Sequence, residues 1–380
     1  MQIQWKWVVL SAAAFIASAA GAQELLVRIG HVAATSGNWA YWGRDNEMGA
    51  RMAVDELNAQ GLLIGTRKAR FELLTEDDAG DPRQATAVAQ KLVDSGVNGV
   101  VGHLNSGTSI PAARIYSDAG IPQIAPGVTN PKFTRQGYAT TFRVVADDVQ
   151  LGNALGRYAA LTLQGRAIAV IDDRTAYGQG LAQEFEKGAV AAGGKVVSRQ
   201  YTTDKATDFS AILTAAKAAK PDIVFFAGGD AQAGPMLRQM KQLGLNVKFM
   251  GGDGVCTTDL PRLAGGAIAD NQVVCAMAGG VEGAQKKRYD EFRAAFKARF
   301  GVEVLADGPN AYDSVKLIAA AMAQAASADP AKYLSTLART EGYAGVTGVI
   351  SFDSKGDLKN GALTLFTFKG GNREELAIVR

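Results

Sequence analysis

The chain contains few of the residues on which metal centres and many active sites depend. Among 380 residues there are two cysteines and two histidines, and the formal net charge is only +3. Because His31 and His103 cannot make a histidine-rich site, we expect no bound metal. The lack of a long basic run argues against nucleic acid as a partner. No histidine follows His103, so a serine nucleophile would lack the late histidine base of a hydrolase.

The N-terminal segment is apolar but short. It has one early cation, Lys6, an apolar stretch from Trp7 to about Ala20, and the small residues Ala20-Gly21-Ala22 before Gln23. This pattern predicts a secretory signal peptide over residues 1–22. The alternative, a membrane anchor, needs roughly 20 apolar residues, which this stretch does not reach. Since Gln23 and not cysteine follows the predicted cut, we expect no lipid anchor, no stable membrane insertion and a soluble chain in the periplasm.

The two cysteines, Cys256 and Cys275, both lie well inside the exported part of the chain. In an oxidising compartment an isolated pair of this kind predicts one disulfide that closes a short loop. The alternative is a pair of buried free thiols, since cysteine is among the residues most often buried.

The pattern of apolar residues predicts two α/β lobes. Roughly 360 residues remain after the predicted signal, which is more than one hydrophobic core usually covers. Apolar β-branched runs alternate with helical patterns from Leu25–Ala33 to Pro122–Ala125, and the same alternation restarts after Val145. This rhythm is typical of βαβ units and parallel sheets. Residues 75–102 and 201–228 repeat one order of elements at an offset of about 126 residues, which indicates duplicated Rossmann-like lobes.

The last hundred residues hold too few elements for a third domain. Two amphipathic helices are expected at Lys286–Phe300 and Gly308–Ala325, and a hairpin between Gly348–Phe352 and Leu363–Phe368. The chain would then cross between the lobes three times and form a three-strand hinge. The expected crossings are residues 143–147, 275–278 and 346–349. The expected lobes are residues 23–144 plus 277–347 and residues 145–276 plus 348–380.

Ligands of open parallel sheets bind at the carboxyl ends of the strands, and the loop around Ser106 follows one such strand. A nucleophilic serine would want the pattern G-x-S-x-G, whereas the sequence here is Leu104-Asn105-Ser106-Gly107. Without a base, a serine hydroxyl stays a weak nucleophile. We therefore expect no catalytic residue, and we expect His103 to be a hydrogen-bonded residue at the sheet edge.

An anion cradle fits these residues better. Ser106 at a helix N-terminus can offer its hydroxyl and nearby N–H groups to a carboxylate, and Thr129 can do the same. The carbonyl of Gly127 can accept from an ammonium, and Asp253 can supply the opposing negative charge. Taken singly, the two hydroxyl residues fit a helix cap and Asp253 fits a turn. Together, they suit a zwitterion held between two lobes.

Several motifs occur in one order along almost the whole chain. They are MGARMAVDELNAQG, EDDAGDPRQATAVAQKLV, the run from Val100 to Pro131, AYGQGLA, FMGGDGV and SFDSKGDL. As a set they resemble the periplasmic leucine/isoleucine/valine-type amino-acid-binding proteins, the type I solute-binding receptors of ABC importers. The resemblance implies two hinged lobes that close on the ligand like a flytrap.

The resemblance also implies roles for single residues. The α-carboxylate would be bound by Ser106 and Thr129, and the α-ammonium by Gly127, Thr129 and Asp253. The residues that would form the pocket wall or close over the ligand are Trp42, Leu104, Val128, Tyr177 and Asp230. Asp230 stands where some members carry tyrosine, and Asp253 where some carry glutamate. Asp230 then contacts the ligand's ammonium, or it faces solvent.

The expected function is that of an extracytoplasmic solute-binding protein. It would be a monomer that captures an amino acid, leucine, isoleucine or valine, and delivers it to ABC permease subunits without cofactor or catalysis. One alternative is a receptor of the same fold for urea, a short-chain amide or an aromatic acid. Others are an exported serine hydrolase that uses Ser106 and a sensor that passes lobe closure to a signalling partner.

Overall fold

The first lobe is built on a sheet whose strands alternate with helices. A computed structural model describes residues 24–379, so the predicted signal peptide lies outside the described residues. The strands of this lobe are β1 (Leu25–Ala33), β2 (Leu63–Ile64), β3 (Arg67–Asp77), β4 (Gly99–Gly102), β5 (Gln123–Ala125) and β6 (Thr141–Arg143). Its first helices are α1 (Ala40–Gln60), α2 (Pro82–Asp94) and α3 (Ser106–Asp118). The strand order is β2-β3-β1-β4-β5-β6, and only the β2–β3 pair is antiparallel.

The second lobe repeats this plan. Its first strands are β7 (Ala167–Asp172), β8 (Lys195–Tyr201), β9 (Ile223–Ala227), β10 (Lys248–Gly251) and β11 (Val273–Ala278). Its helices are α4 (Asp148–Arg157), α5 (Ala176–Ala191), α6 (Ser210–Ala218), α7 (Asp230–Gln242) and the short α8 (Leu260–Leu263). Buried runs such as Ile223–Ala227 have both faces covered by helices, as parallel strands require. The predicted fold class, two α/β lobes with parallel-dominated sheets, is confirmed.

The end of the chain contributes to both lobes. Its helices are α9 (Ala284–Phe300), α10 (Gly308–Gln324) and α11 (Pro330–Ala338). Its strands are β12 (Tyr343–Ala344), β13 (Val349–Ile350), β14 (Leu363–Lys369) and β15 (Asn372–Val379). The last two join the second sheet, in the order β15-β14-β11-β10-β9-β7-β8.

The predicted hairpin between residues 348–352 and 363–368 is wrong. Strand β13 pairs with β12, and β14 pairs antiparallel with β11 and β15. The reason is burial, because Ile350 and Phe352 are both under 5% exposed in the core of the first lobe. The segment after Phe352 is a local turn closed by a bridge to Leu358.

Helix α10 packs closely along α1, and this contact needs a glycine. A Cβ on Gly49 would lie 1.9 Å from the carbonyl oxygen of Gly308. The start of α10 is further held by Asp45, whose carboxylate accepts from the backbone N–H groups of Leu305, Ala306 and Gly308. The loop before α10 is therefore fixed against the middle of α1.

The two lobes touch through side chains on either side of the space between their sheets. The hydroxyl of Tyr41 donates to Asp230 Oδ1. Asn130 Nδ2 donates to the carbonyl of Ala176 at 2.6 Å. These contacts hold the lobes together around the cavity described below. Across residues 24–379, no helix combines the length and apolar character that a membrane crossing requires.

Candidate functional site

A cavity of about 350 Å³ lies between the lobes. It opens at the carboxyl ends of the strands of both sheets, the place where parallel α/β sheets bind ligands. From the first lobe its lining includes Trp39, Trp42, Leu104, Ser106, Gly127 and Asp307. From the second lobe its lining includes Arg174, Tyr177, Asp204 and Asp253.

Ser106 is the first residue of α3 and is 2% exposed. Its Oγ accepts the backbone N–H of Asn130 at 3.3 Å, and no acceptor within the described residues takes its proton. The hydroxyl can thus donate into the cavity at a helix N-terminus, where backbone N–H groups favour an anion.

His103 supports the Ser106 loop and does not act on it as a base. Its ring is fully buried, with Nδ1 at 2.7 Å from Asp78 Oδ2 and Nε2 at 3.1 Å from the Tyr116 hydroxyl. Its carbonyl accepts from Ser109 Oγ at 3.0 Å. Both ring nitrogens are therefore committed to groups behind the loop, as a structural histidine requires.

A buried arginine, Arg143, holds the loop that contains Gly127 and Thr129 through hydrogen bonds to its backbone. Arg143 donates to the carbonyls of Val128 at 2.6 Å and Asn130 at 3.0 Å, and its Nε pairs with Asp357 Oδ1 at 2.6 Å. Its side chain is fully buried. A planar guanidinium that serves three acceptors at fixed angles holds the loop in one shape. The sequence reasoning did not assign this role to Arg143.

Tyr177 and Asp253 form a hydrogen-bonded pair on the second lobe. The Tyr177 hydroxyl donates to Asp253 Oδ1 at 2.5 Å and accepts the N–H of Gly254 at 3.2 Å. Burial raises the pKa of the Asp253 carboxyl, while the bond from Tyr177 opposes that rise. Burial and the Asp253 charge also raise the pKa of Tyr177, which keeps its proton and remains a donor.

The cavity brings together most of the residues that the sequence singled out. Six of them line it, namely Trp42, Leu104, Ser106, Gly127, Tyr177 and Asp253. Val128 and Thr129 are buried beside it, at 0% and 1% exposure, and do not belong to the lining. The Thr129 hydroxyl lies near Asp148 and lowers the pKa of that carboxyl, whereas burial and the Asp253 charge raise that pKa more strongly.

Asp230 lies outside the lining, because protein donors take its carboxylate. Oδ1 accepts from Tyr41 of the first lobe, and Oδ2 accepts from the Thr257 hydroxyl at 2.5 Å. Of the two alternatives for this residue, the solvent-facing position is wrong, and the contact with a ligand's ammonium stays a prediction. Asp230 is 1% exposed and bridges the lobes.

Asp307 lines the cavity and was missed by the sequence reasoning. It directly precedes Gly308-Pro309 at the start of α10, and an acidic residue just before a proline at the first turn is typical of a helix start. That signal predicts a helix N-cap at Asp307. Its position at the cavity depends on how α10 packs on α1, which the local sequence does not indicate. Burial raises the pKa of Asp307 well above its usual range, and the charges of Asp253 and Asp45 raise it further.

A disulfide joins Cys256 and Cys275 next to the cavity wall. The Cα atoms are 5.3 Å apart, and the bond links the segment after β10 to the middle of β11. Both cysteines are fully buried. The bond ties the loop that follows Asp253 to the central part of the second sheet.

Comparisons with known proteins agree on the family. The family model described as periplasmic binding protein matches residues 26–372. A leucine-, isoleucine-, valine-, threonine-, and alanine-binding protein of Pseudomonas aeruginosa is 35% identical over 351 residues, which cover 92% of each chain. A leucine-specific-binding protein of Salmonella typhimurium is 34% identical over 368 residues, 95% of this chain and 96% of that one.

Solved structures show the same architecture. A leucine binding protein from Thermotoga maritima superposes with a TM-score of 0.85 at 25% identity, over 93% of this chain and 98% of that one. The branched-chain amino acid transporter substrate binding protein of Streptococcus pneumoniae, in complex with isoleucine, gives 0.83 at 26% identity, over 93% and 99%. With two lobes, an interlobe cavity and this breadth of similarity, the chain belongs to the periplasmic binding protein family.

Proposed function

We propose that the protein is the periplasmic receptor of an ABC importer and that it captures an amino acid between its lobes. The observation that carries this proposal is the opposition, across one cavity, of the Ser106 hydroxyl and the Asp253 carboxylate. One is a neutral donor at a helix N-terminus, and the other is an anion on the facing lobe. An α-amino acid carries a carboxylate and an ammonium on the same carbon atom. Each of these charged groups needs a partner once water is excluded.

In this proposal the α-carboxylate lies at the start of α3 and accepts from Ser106. The carbonyl of Gly127 and the carboxylate of Asp253 accept from the ammonium. Thr129 is buried next to the cavity and packs behind the ligand's carboxylate and ammonium. The aromatic face of Trp42 and the side chain of Leu104 form an apolar wall for the ligand side chain. Tyr177 positions Asp253 and completes the cover of the site.

The relatives indicate which ligands to test first. Their names specify leucine, isoleucine, valine, threonine and alanine, and one solved relative holds isoleucine. We propose the amino acids of this set as the first ligands to test and ABC permease subunits as the partner. No covalent step is proposed, because the ring nitrogens of His103 are occupied and Ser106 has no base. The lobes would turn about crossings near residues 143–147 and 275–278 and about a third between Leu358 and Leu363, in a monomer released by signal cleavage. The third crossing comes later than the expected 346–349, because Ile350 and Phe352 pack in the core of the first lobe.

The proposal is tested by calorimetry with a panel of amino acids and two variants. Ser106→Ala and Asp253→Asn each remove a partner of a charged ligand group, so each should weaken binding by more than about 1.5 kcal/mol. That loss is roughly tenfold in Kd. Ser117→Ala and Asp118→Asn, at the far end of α3, are the matched controls and should bind as the unaltered protein does.

Two outcomes would refute the proposal. One is unchanged affinity in both Ser106→Ala and Asp253→Asn while the proteins remain folded. The other is the absence of any bound amino acid, which a thermal-shift screen would reveal. A true ligand at a hundred times its Kd should stabilise the fold by about 2.7 kcal/mol. Recovery of the ligand chemically unchanged after incubation separates a receptor from an exported hydrolase.

A further inference from the structure

Besides Asp204 and Asp253, the cavity is lined by a third carboxylate, Asp307, which makes no salt bridge within the described residues. Its Oδ1 accepts from Asn310 Nδ2 at 3.0 Å, and its Oδ2 has no donor among residues 24–379. Oδ2 lies over Gly127, where a Cβ would approach it to 2.8 Å. The same Cβ would lie 2.9 Å from Leu104 Cδ1, so Asp307 borders both the proposed ammonium site and the apolar wall.

The position of Asp307 is fixed by the packing of the first lobe. Its carbonyl accepts from Asn46 Nδ2 at 3.3 Å, and the neighbouring N–H groups bond to the buried carboxylate of Asp45. The close contact between Gly49 and Gly308 seats the start of α10 directly on α1. The backbone of Asp307 is therefore held at the cavity wall by its hydrogen bonds to α1.

The charges around Asp307 are negative. Asp253 and Asp45 are the charged groups that act on its carboxyl from the elements packed against it. Arg174 is the one cationic residue among those that line the cavity, and its guanidinium lies 3.5 Å from the centre of the Tyr201 ring. Among the described residues, no salt bridge joins Arg174 to Asp253 or Asp307.

We propose that Asp307 makes the receptor select amino acids whose side chain carries a hydrogen-bond donor, with a cationic donor preferred over a neutral one. This inference rests on the proposed function, since it assumes that the α-carboxylate and α-ammonium bind as described. One ammonium can satisfy Asp253 and the Gly127 carbonyl. The Asp307 carboxylate then requires a partner from the ligand side chain, because closure of the lobes excludes water from it.

A purely aliphatic side chain is discriminated against by the same geometry. It would cover Oδ2 without donating to it, so the carboxylate would remain buried and unpaired or take up a proton. A site built to receive a donor rejects analogues that lack one far more strongly than an apolar pocket rejects an extra methyl group. The relevant comparison is therefore between ligands of equal shape that differ in one donor.

The test is isothermal titration of the unaltered protein with two matched pairs of L-amino acids. Ornithine and norvaline share a three-carbon side chain and differ by an ammonium group. Threonine and valine share a branched shape and differ by a hydroxyl in place of a methyl. We expect ornithine to bind about 10-fold to 100-fold more tightly than norvaline, and threonine more tightly than valine, since hydrogen bonds to charged groups carry such factors.

Variants assign this preference to Asp307. Asp307→Asn should reduce the ornithine-to-norvaline ratio toward one, and Asp307→Leu should reverse both preferences in favour of the aliphatic partner. Asp329→Asn is the matched control, because Asp329 also precedes a proline at a helix start of the first lobe but does not line the cavity. Thermal denaturation of each variant establishes that it is folded before titration.

The outcomes separate this inference from the proposed function. Binding of norvaline and valine as tight as that of their donor partners would overturn the role of Asp307 and leave the receptor function standing. Ratios that persist unchanged in both Asp307 variants would also overturn it. Failure of the unaltered protein to bind these four or any other amino acid of the calorimetry panel would instead overturn the proposed function, on which the selectivity rests.

Discussion

The hydrogen bond between Tyr41 and Asp230 should add directly to ligand affinity, although neither residue lines the cavity. It joins α1 of the first lobe to α7 of the second, so separation of the lobes would break it. Tyr41→Phe removes the donor and keeps the ring that packs against Trp42. Hydrogen bonds to a charged group contribute about 1.5 to 3 kcal/mol. If closure is required for tight binding, the Kd should rise about 10-fold to 100-fold.

The measurement that isolates this effect combines calorimetry with stopped-flow dissociation. Because the bond is made after the ligand has entered, the variant should release ligand faster, and the association rate should change little. Thr257→Val is the matched control. It removes the other hydrogen bond to Asp230, but that bond lies within the second lobe and is present in open and closed states alike. Thr257→Val should lower the unfolding temperature and change the Kd little.

The result that would contradict this reasoning is specific. A Kd and a dissociation rate for Tyr41→Phe within about twofold of the unaltered values would mean that the bond makes no net contribution to closure. Small-angle scattering gives a second readout. In saturating ligand, the variant should populate a more expanded form than the unaltered protein, and an identical scattering curve would argue against a closing role.

Two further substitutions test other parts of the structure. Arg143→Met should cost about 3 to 5 kcal/mol in urea unfolding, because it leaves the buried Asp357 carboxylate without its cation and removes a donor from the Val128 and Asn130 carbonyls; a cost under about 1 kcal/mol would show that the loop does not depend on it. For Asp173→Asn the expected effect depends on pH. Burial raises the folded-state pKa of Asp173 from 3.8 to about 6, so the native state binds this proton more tightly than the unfolded chain and loses stability as pH rises between those values. Relative to the unaltered protein, the asparagine variant should gain about 2 to 3 kcal/mol between pH 4 and pH 7 in urea unfolding, and a difference that stays flat with pH would refute the assignment.

Local patterns predicted the repeated core of the fold well. Strand β1 has the bounds that the apolar run indicated, Leu25–Ala33. Helix α10 begins at Gly308 as expected, whereas apolar spacing alone starts α3 at Ile110 and the helix begins at Ser106. Glycine and hydroxyl residues in a first helical turn look like a loop in the sequence. In this fold they form the first turn of α3, where Ser106 and Gly107 line the cavity.

Contacts between distant parts of the chain set the limit of such prediction. The last strand, Asn372–Val379, has mostly exposed or half-buried residues and carries no clear apolar alternation, so β14 was assigned the wrong partner. Asp307 reaches the cavity only through bonds to Asp45 and the contact at Gly49, about 260 residues away. Asp230 was expected to contact the ligand's ammonium or to face solvent, and its partner Tyr41 comes from the other lobe. Each of these features depends on contacts between residues that are far apart in the sequence, so local sequence patterns do not predict it.

The buried guanidinium of Arg143 has a consequence for the order of events during capture. It fastens the Gly127 loop to the turn at Asp357, and every one of these groups belongs to the same half of the molecule. The Gly127 carbonyl, which would accept from a ligand's ammonium, is consequently in place before the lobes close. A ligand would therefore bind first to the preformed surface of the first lobe, and the second lobe would close over it afterwards.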